Sequence, residues 1–235
     1  MSMTLETIRA AHARIAPYIV PTPLLRLPAL DDALGCEVYV KAECMQRTGA
    51  FKLRGAMNKI LALTDAERAR GFVAASSGNH GRAVAYAAQR FGTHACIVMP
   101  ETAPAVKQAA IRALGAEPAA LPRYTESLRA GHPVQVEQKR SIADALVAQT
   151  PGDVCFPYVA AHTDGFADVA DADILRGMKL LLLEGKLLCE PSSAIGIGAA
   201  LRGQLPVRRG DKVCFVISGG SVALEQLHQL EDVAL

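Results

Sequence analysis

The apolar positions of this chain recur with two different periods, and the two periods predict different elements. Residues 4–14 and 51–63 repeat apolar side chains every three to four positions, which is typical of amphipathic helices. The stretch CEVYVKAE, from Cys36, alternates polar with β-branched and other apolar side chains, which predicts a strand. The stretch YIVPTPLLRLPAL, from Tyr18, holds too many prolines for a helix, so we expect extended chain there.

Two short apolar runs, GFVAAS from Gly71 and HACIVMP from His94, are typical of buried strands. Each is followed by a turn and a helical pattern that ends on a glycine, Gly92 after the first and Gly115 after the second. Strands and helices that alternate with short links indicate right-handed βαβ units on a parallel sheet. The pattern therefore predicts an α/β fold, with parallel sheets flanked by helices.

The pattern loosens in the second half, and the composition shift near 117–124 is the best candidate for an internal boundary. Residues 118–160 hold five prolines and little periodicity, so no regular element is predicted there. Order returns with helical patterns near 171–186 and 192–202. The strand pattern KVCFVIS and a last helix over 221–231 complete the chain.

Length, composition and charge exclude several classes of protein. The 235-residue chain is 51% hydrophobic and 20% charged, which is the balance of a globular protein. Its net charge is +2 and its basic residues form no patch interleaved with aromatic residues, so we expect no nucleic-acid partner. No apolar run approaches the length of a membrane span, and the first residues hold no signal-like apolar core. We therefore expect no membrane partner and a cytoplasmic location.

Three turns rich in small residues follow predicted strands, where ligands gather in open α/β sheets. SSGNHG occupies 76–81, VISGGS occupies 216–221, and TGAFK ends on Lys52. The helix start after such a turn favours an anion, and a desolvated lysine can form a Schiff base with a carbonyl. Together the turns suggest one cleft for a planar, anionic ligand. Taken singly, SSGNHG is equally typical of an ordinary βα turn, and Lys52 of a solvated charge at a helix start.

Four stretches resemble, in the same order, the motifs of the fold-type II pyridoxal-phosphate enzymes, specifically the serine/threonine dehydratase and serine racemase group. KAECMQRTGAFKLRGA is similar to the lysine motif of that group, and SSGNHGRAVAYAA is similar to its asparagine loop. LLCEPSSA resembles its Glu-Pro segment, and VCFVISGGS resembles its serine-glycine segment. The resemblance implies the tryptophan synthase β-like fold, with residues 1–70 and 118–235 in a large cofactor domain and 71–117 in a small domain.

The resemblance also implies a role for each matching residue. Lys52 would form the Schiff base with pyridoxal phosphate and carry the proton at Cα. Phe51 would pack beside the cofactor, Asn79 would bond to the hydroxyl oxygen of the ring, and Ser218 with Gly219 would lie at the pyridine nitrogen. Ser77, Asn79 and His80 would bind the substrate carboxylate, largely through backbone N–H groups.

The function implied by the resemblance is the β-elimination of L-threonine or L-serine to a 2-oxo acid and ammonia, by a homodimer that acts on a small hydroxy amino acid. A racemase is the alternative, because Ser77 offers a second proton carrier on the opposite face of Cα. Relatives in which a glutamate binds a divalent cation place that residue at Glu117. The aspartate of that cation site is Arg123 here, and one carboxylate beside an arginine is a poor cation site.

The chain departs from the family pattern at RALGAEPAALPRY, where one family segment runs directly into a much later one. The missing portion includes the glycine-rich loop that supplies N–H donors to the cofactor phosphate. The nearest glycines, IGIGAA at 195–200, are typical of close helix packing instead. The large domain is therefore expected to be incomplete, and a catalytically inactive relative is the second alternative to the ammonia-lyase.

Overall fold

The computed structural model describes residues 3–76, 78–98, 141–143, 155–163, 165 and 167–235. The chain divides into two compact units. Unit 1 comprises Met1–Leu24, Lys41–Ala119 and Val216–Ser221, and unit 2 comprises Leu25–Val40, Ala120–Phe215 and Val222–Leu235. The division into a cofactor domain and a small domain, made above from the resemblance, stays a prediction.

The described residues form α-helices and β-strands that alternate along much of the chain. The helices are α1 (Leu5–Ile15), α2 (Pro28–Leu34), α3 (Lys52–Leu61), α4 (Asp65–Ala69), α5 (Asn79–Arg90), α6 (Phe156–His162), α7 (Asp171–Leu183), α8 (Pro191–Leu201) and α9 (Leu224–His228). The strands are β1 (Leu24–Arg26), β2 (Glu37–Lys41), β3 (Phe72–Ala75), β4 (Ala95–Val98) and β5 (Lys212–Val216). The predicted α/β class is confirmed.

Most of the predicted elements that fall on described residues are present, with three corrections. Extended chain was wrong for the end of YIVPTPLLRLPAL, because α2 begins there with Pro28 in its first turn, where proline is tolerated. The absence of regular structure over 118–160 was wrong at α6, which also starts with a proline in its first turn. The last helix is shorter than predicted, because α9 covers Leu224–His228 alone. The helix predicted between Gly92 and Gly115 lies outside the described residues.

The core of unit 1 lies between α1, α3, α5 and a pair of parallel strands. β3 and β4 run parallel, with Phe72 opposite Ala95 and Ala74 opposite Ile97, as expected for a βαβ unit whose crossover is α5. The buried cluster includes Leu53 and Met57 of α3, and further members are Ile15, Ile19, Ala56, Ile60, Ala83, Val84, Ala87 and Ile97. This cluster fixes the ends of α3 and α5 at which the candidate residues stand.

Unit 2 is built on a close pair of helices and a small sheet. A Cβ atom on Gly198 of α8 would lie 2.7 Å from the backbone oxygen of Asp173, and one on Gly177 of α7 would lie 2.9 Å from that of Ala194. Such a close approach of two backbones requires glycine, so the prediction that IGIGAA serves helix packing is confirmed. The sheet has the strand order β1-β2-β5. In the described part of the chain, no helix is long and apolar enough to cross a membrane.

Candidate active site

Two segments that are far apart in the sequence are joined by backbone hydrogen bonds in unit 1. We call residues 48–52 the lysine loop and residues 217–221 the serine-glycine segment. The N–H of Phe51 donates to the oxygen of Ser218 (3.0 Å), and the N–H of Gly220 donates to the oxygen of Gly49 (2.9 Å). Ala50 and Gly219 therefore form an antiparallel bridge. The pairing sets Ser218 and Gly219 beside the loop that carries Lys52.

Gly49 makes the lysine loop possible. Its φ of +72° lies in the left-handed region, where other residues are strained. The loop turns there and leads through Phe51 into α3, of which Lys52 is the first residue. The sequence signal for this turn was the TGAFK stretch.

Lys52 lies at an open surface and not in a buried position. Its side chain is exposed, and its Nζ atom lies 4.8 Å from the centroid of the Phe51 ring, which is itself 40% exposed. Gly55 lies three residues further along α3 and so shares the face of Lys52. A Cβ atom on Gly55 would have no described atom within 4 Å. The amine therefore stands beside an uncrowded surface that leaves room for a planar ring.

The asparagine loop, residues 76–81, places its polar groups at the start of α5. The Oγ of Ser76 accepts hydrogen bonds from the N–H groups of Gly81 (2.9 Å) and Gly78 (3.3 Å), and it thereby caps the helix. Asn79 is the first residue of α5, and its Oδ1 accepts a hydrogen bond of 2.9 Å from Ser221 Oγ. Ser77 lies outside the described residues.

Ser221 is a residue that the sequence analysis missed. Its hydroxyl orients the amide of Asn79, and it connects the serine-glycine segment directly to the start of α5. The signal was present, because VISGGS holds two serines at the same strand end, but the resemblance assigned a role to the first of them alone. The hydrogen bonds thus bring the segments of Lys52, Asn79 and Ser218 together within unit 1.

His80 follows Asn79, and its surroundings disfavour the protonated imidazolium. Its side chain is exposed overall, but protein atoms exclude water from part of the ring, and this lowers the pKa of His80 below its usual value. The positive charge of Lys52 lowers that pKa further. A neutral imidazole near pH 7 can accept a hydrogen bond as well as donate one.

A buried carboxylate lies behind the lysine helix. Glu43 is 3% exposed and accepts two hydrogen bonds from Arg54, from Nε to Oε2 (2.9 Å) and from Nη2 to Oε1 (2.7 Å). Thr22 Oγ1 donates a third hydrogen bond to Oε1 (2.6 Å). Burial would raise the pKa of Glu43, but the hydrogen bonds from Arg54 and Thr22 outweigh burial and lower it. Arg54 is therefore engaged with Glu43, two positions after Lys52 on the same helix.

The hydroxyl of Thr48 is a buried polar group of the lysine loop. The Oγ1 of Thr48 is buried, and none of the described residues forms a hydrogen bond with it. A buried hydroxyl without a described partner is unusual in native structures, which makes the Thr48 hydroxyl a candidate contact for a ligand. The amine of Lys52, the amide of Asn79, the hydroxyl of Thr48 and the open surface at Gly55 lie on segments that hydrogen bonds join, and they fit the aldehyde and ring of pyridoxal phosphate.

The cation site that the resemblance places at Glu117 lies outside the described residues. Among the residues that are described, no group of three or more His, Cys, Asp or Glu side chains could hold a metal ion.

Comparison with known proteins identifies the family. The sequence matches the family described as "Pyridoxal-phosphate dependent enzyme" over residues 15–119 and again over 115–219. The two matches meet at 115–119, where the sequence analysis places the missing portion. Because they cover most of the chain, they establish the family independently of the residue roles discussed above.

Individual relatives agree with this assignment. The chain is 30% identical to the L-threonine ammonia-lyase of Thermotoga maritima over 314 residues, which cover 97% of the chain and 78% of that protein. It is 28% identical to the L-threo-3-hydroxyaspartate ammonia-lyase of Saccharomyces cerevisiae, with 92% of each chain covered. Maize serine racemase superposes with a TM-score of 0.86 at 28% identity over 97% of each chain.

The alignment with the first relative is longer than the chain itself, so that relative carries residues that this chain lacks. The shortened chain nevertheless belongs to the family of pyridoxal-phosphate dependent enzymes, has their fold-type II α/β architecture, and has pyridoxal phosphate as its cofactor.

Proposed function

We propose that this chain catalyses the β-elimination of a small β-hydroxy amino acid, L-threonine or L-serine, to a 2-oxo acid and ammonia. The observation that supports this most directly is the backbone pairing that holds the Lys52 loop against Ser218. The relatives named above act, by their names, on threonine, on 3-hydroxyaspartate and on serine, and all three are β-hydroxy amino acids.

Pyridoxal phosphate, when bound, supplies an electron sink for the negative charge that develops at Cα. The other steps fall to residues of this chain. Lys52 would hold the cofactor through its Nζ atom and, as a free amine, would take the proton from Cα. Passed on to the β-hydroxyl, that proton would let it leave as water. The unsaturated amine that remains takes up water and releases ammonia, which leaves the 2-oxo acid.

Ser218 and Asn79 would govern the orientation of the ring. A serine hydroxyl at the pyridine nitrogen is neutral, so it favours an unprotonated nitrogen more than a carboxylate would. A weaker electron sink suits β-elimination better than transamination. Asn79, whose amide is oriented by Ser221, can donate from its NH₂ group to the ring hydroxyl oxygen.

The start of α5 would hold the substrate carboxylate. The first turn of a 12-residue helix carries a partial positive charge, and the neutral His80 stands there with Asn79. Ser76 accepts the N–H of Gly81 in this turn and that of Gly78 just before it, so it pre-organises the loop before a substrate arrives.

Two other functions compete with this proposal. A racemase is favoured by the likeness to maize serine racemase and, in the sequence, by Ser77 as a second proton carrier. An inactive relative is favoured by the missing glycine-rich loop, because a phosphate needs several N–H donors or cations. A homodimeric state and a cytoplasmic location remain proposals of the sequence analysis.

Cofactor uptake separates an enzyme from an inactive relative, and 2-oxo acid production separates an ammonia-lyase from a racemase. Purified protein would be mixed with pyridoxal phosphate, freed of excess, and its visible absorption recorded for wild type, Lys52→Ala and the control Lys59→Ala, which changes an exposed lysine of the same helix. Retained absorption in wild type and Lys59→Ala, but not in Lys52→Ala, supports the proposal, and 2-oxo acid production from serine and threonine would follow. A folded wild type that retains no cofactor refutes the enzymatic function.

A further inference from the structure

The guanidinium of Arg82 lies against the lysine loop. A Cβ atom placed on Gly49 would be 3.6 Å from Arg82 Nη1. Gly49 is also the residue whose oxygen accepts the N–H of Gly220, so Arg82 reaches the point where the lysine loop and the serine-glycine segment are paired. The sequence analysis assigned no role to this arginine.

Arg82 shares a face of α5 with Asn79. The two residues are three positions apart, so their side chains lie one above the other along the helix, about one turn or 5.4 Å apart. Both face the same pair of segments, because Asn79 binds Ser221 and Arg82 contacts Gly49. Arg82 therefore extends, by one helical turn, the polar wall that begins with Asn79.

The Arg82 guanidinium is not paired with an anion among the described residues. It is half-buried, and among the residues that the structure describes it forms neither an ion pair nor a side-chain hydrogen bond. Arg54, by contrast, is satisfied by the buried carboxylate of Glu43. A half-buried guanidinium offers five N–H donors, and donors that face the site can bind the carboxylate of a ligand.

We infer that Arg82 binds a second carboxylate, on the side chain of the substrate, and that the substrate class therefore includes β-hydroxy amino acids with an acidic side chain. This inference rests on the proposed function, because it assumes that the α-carboxylate lies at the start of α5. One helical turn is comparable to the separation of the two carboxylates of a four-carbon dicarboxylic acid. A planar guanidinium also matches a carboxylate in a bidentate manner, which a neutral methyl or hydroxymethyl side chain does not require.

A pair of probes tests this without turnover and without cofactor. Succinate and its half-amide succinamate have the same carbon skeleton, but one end of succinamate is neutral. Calorimetric titration of the folded chain should show that wild type binds succinate at least about tenfold more tightly than succinamate, since a charge-assisted hydrogen bond contributes about 1.5–3 kcal/mol. The preference for succinate should disappear in Arg82→Met and partly return in Arg82→Lys. Lysine keeps the positive charge but cannot bind a carboxylate through two parallel N–H groups.

Arg90→Met is the matched control. Arg90 is an exposed arginine at the last turn of the same helix, so this variant loses the same charge and leaves the lysine loop untouched. It should keep the preference for succinate, and thermal unfolding would verify that each variant is folded. Equal affinity for the two probes in wild type, binding of neither, or an unchanged preference in folded Arg82→Met would overturn the inference.

A negative result in the cofactor experiment and a negative result in this titration refute different hypotheses. Loss of cofactor uptake refutes the proposed function whatever the succinate result is, and a missing succinate preference refutes the role of Arg82 in a chain that does take up cofactor. In a chain that passes both tests, Arg82→Met should lower kcat/KM for L-threo-3-hydroxyaspartate more than that for L-threonine. Equal effects on the two substrates would count against recognition of the side-chain carboxylate.

Discussion

Replacing Glu43 by glutamine removes a negative charge from a side chain that is 3% exposed, while its shape is kept. The carboxylate accepts three hydrogen bonds, two of them from the Arg54 guanidinium. Glutamine keeps one acceptor oxygen, but its NH₂ group must face a guanidinium N–H, and two donors cannot bond to each other. Arg54 therefore loses its counter-charge and at least one hydrogen bond.

The expected cost follows from that loss. Removing one partner of a buried ion pair destabilises a protein by about 3–5 kcal/mol, because the remaining charge stays desolvated. Arg54 is 25% exposed on its side chain, so water offsets part of the loss and about 3 kcal/mol is the expected value. Since domains are stable by about 5–15 kcal/mol, Glu43→Gln should unfold at a clearly lower urea concentration.

The pH dependence has a definite sign. Folding lowers the pKa of Glu43 below the ordinary 4.5, so its stabilising effect is complete above that value and is lost as the pH falls through the pKa of the folded state. Urea unfolding of wild type and Glu43→Gln should therefore differ most at neutral pH and converge in acid. Glu67→Gln, which changes an exposed capping-box glutamate of α4, is the control and should cause a smaller loss.

Two results would refute this reasoning. One is a loss at pH 7 no larger than that of Glu67→Gln, which would mean that the buried pair adds nothing over its neutral substitute. The other is a difference that grows as the pH falls, because it would require the pKa of Glu43 to be raised in the folded protein.

Three further predictions concern glycines and His80. Gly198→Ala should lower the free energy of unfolding by about 1–3 kcal/mol, because the new methyl group meets a backbone oxygen of α7 at 2.7 Å; an unchanged urea midpoint would contradict it. Gly55→Ala should instead raise the free energy of unfolding by about 0.5–1 kcal/mol, since its helical position is uncrowded. Gly55→Leu should reduce cofactor uptake without unfolding the chain. Lys52→Met should raise the pKa of His80, measured by NMR, whereas Lys59→Met should leave it unchanged; equal shifts would exclude a specific effect of Lys52.

The local pattern of apolar residues was sufficient to predict the helices and strands that bury one face. The helical period over 51–63 predicted α3, because Leu53, Met57 and Ile60 recur on the side that packs in the core of unit 1. The proline-rich stretch led to the wrong prediction of extended chain at α2, because a proline in the first turn of a helix costs no hydrogen bond. Gly35 ends this helix in a left-handed conformation. Short helices of this kind depend on tertiary contacts more than on their own periodicity.

The residues of the candidate site could be predicted where they belong to a sequence motif. They could not be predicted where their role depends on contacts between distant segments. Lys52, Asn79 and Ser218 followed from the resemblance of three turns. Ser221 and Arg82 did not, because their importance depends on which segment lies opposite them, and that is decided by backbone pairing between distant residues. A pattern along the sequence does not contain that pairing.

The bridge between the lysine loop and the serine-glycine segment also has a consequence for when the candidate site forms during synthesis and folding. Ser221 and Asn79 are 142 residues apart, and contacts of such high sequence separation form late because a long loop must first be closed. During synthesis, Lys52 leaves the ribosome well before the segment that pairs with its loop has been translated. The candidate site is therefore expected to form as one of the last events of folding, and a nascent chain should capture cofactor after the serine-glycine segment has emerged and not before.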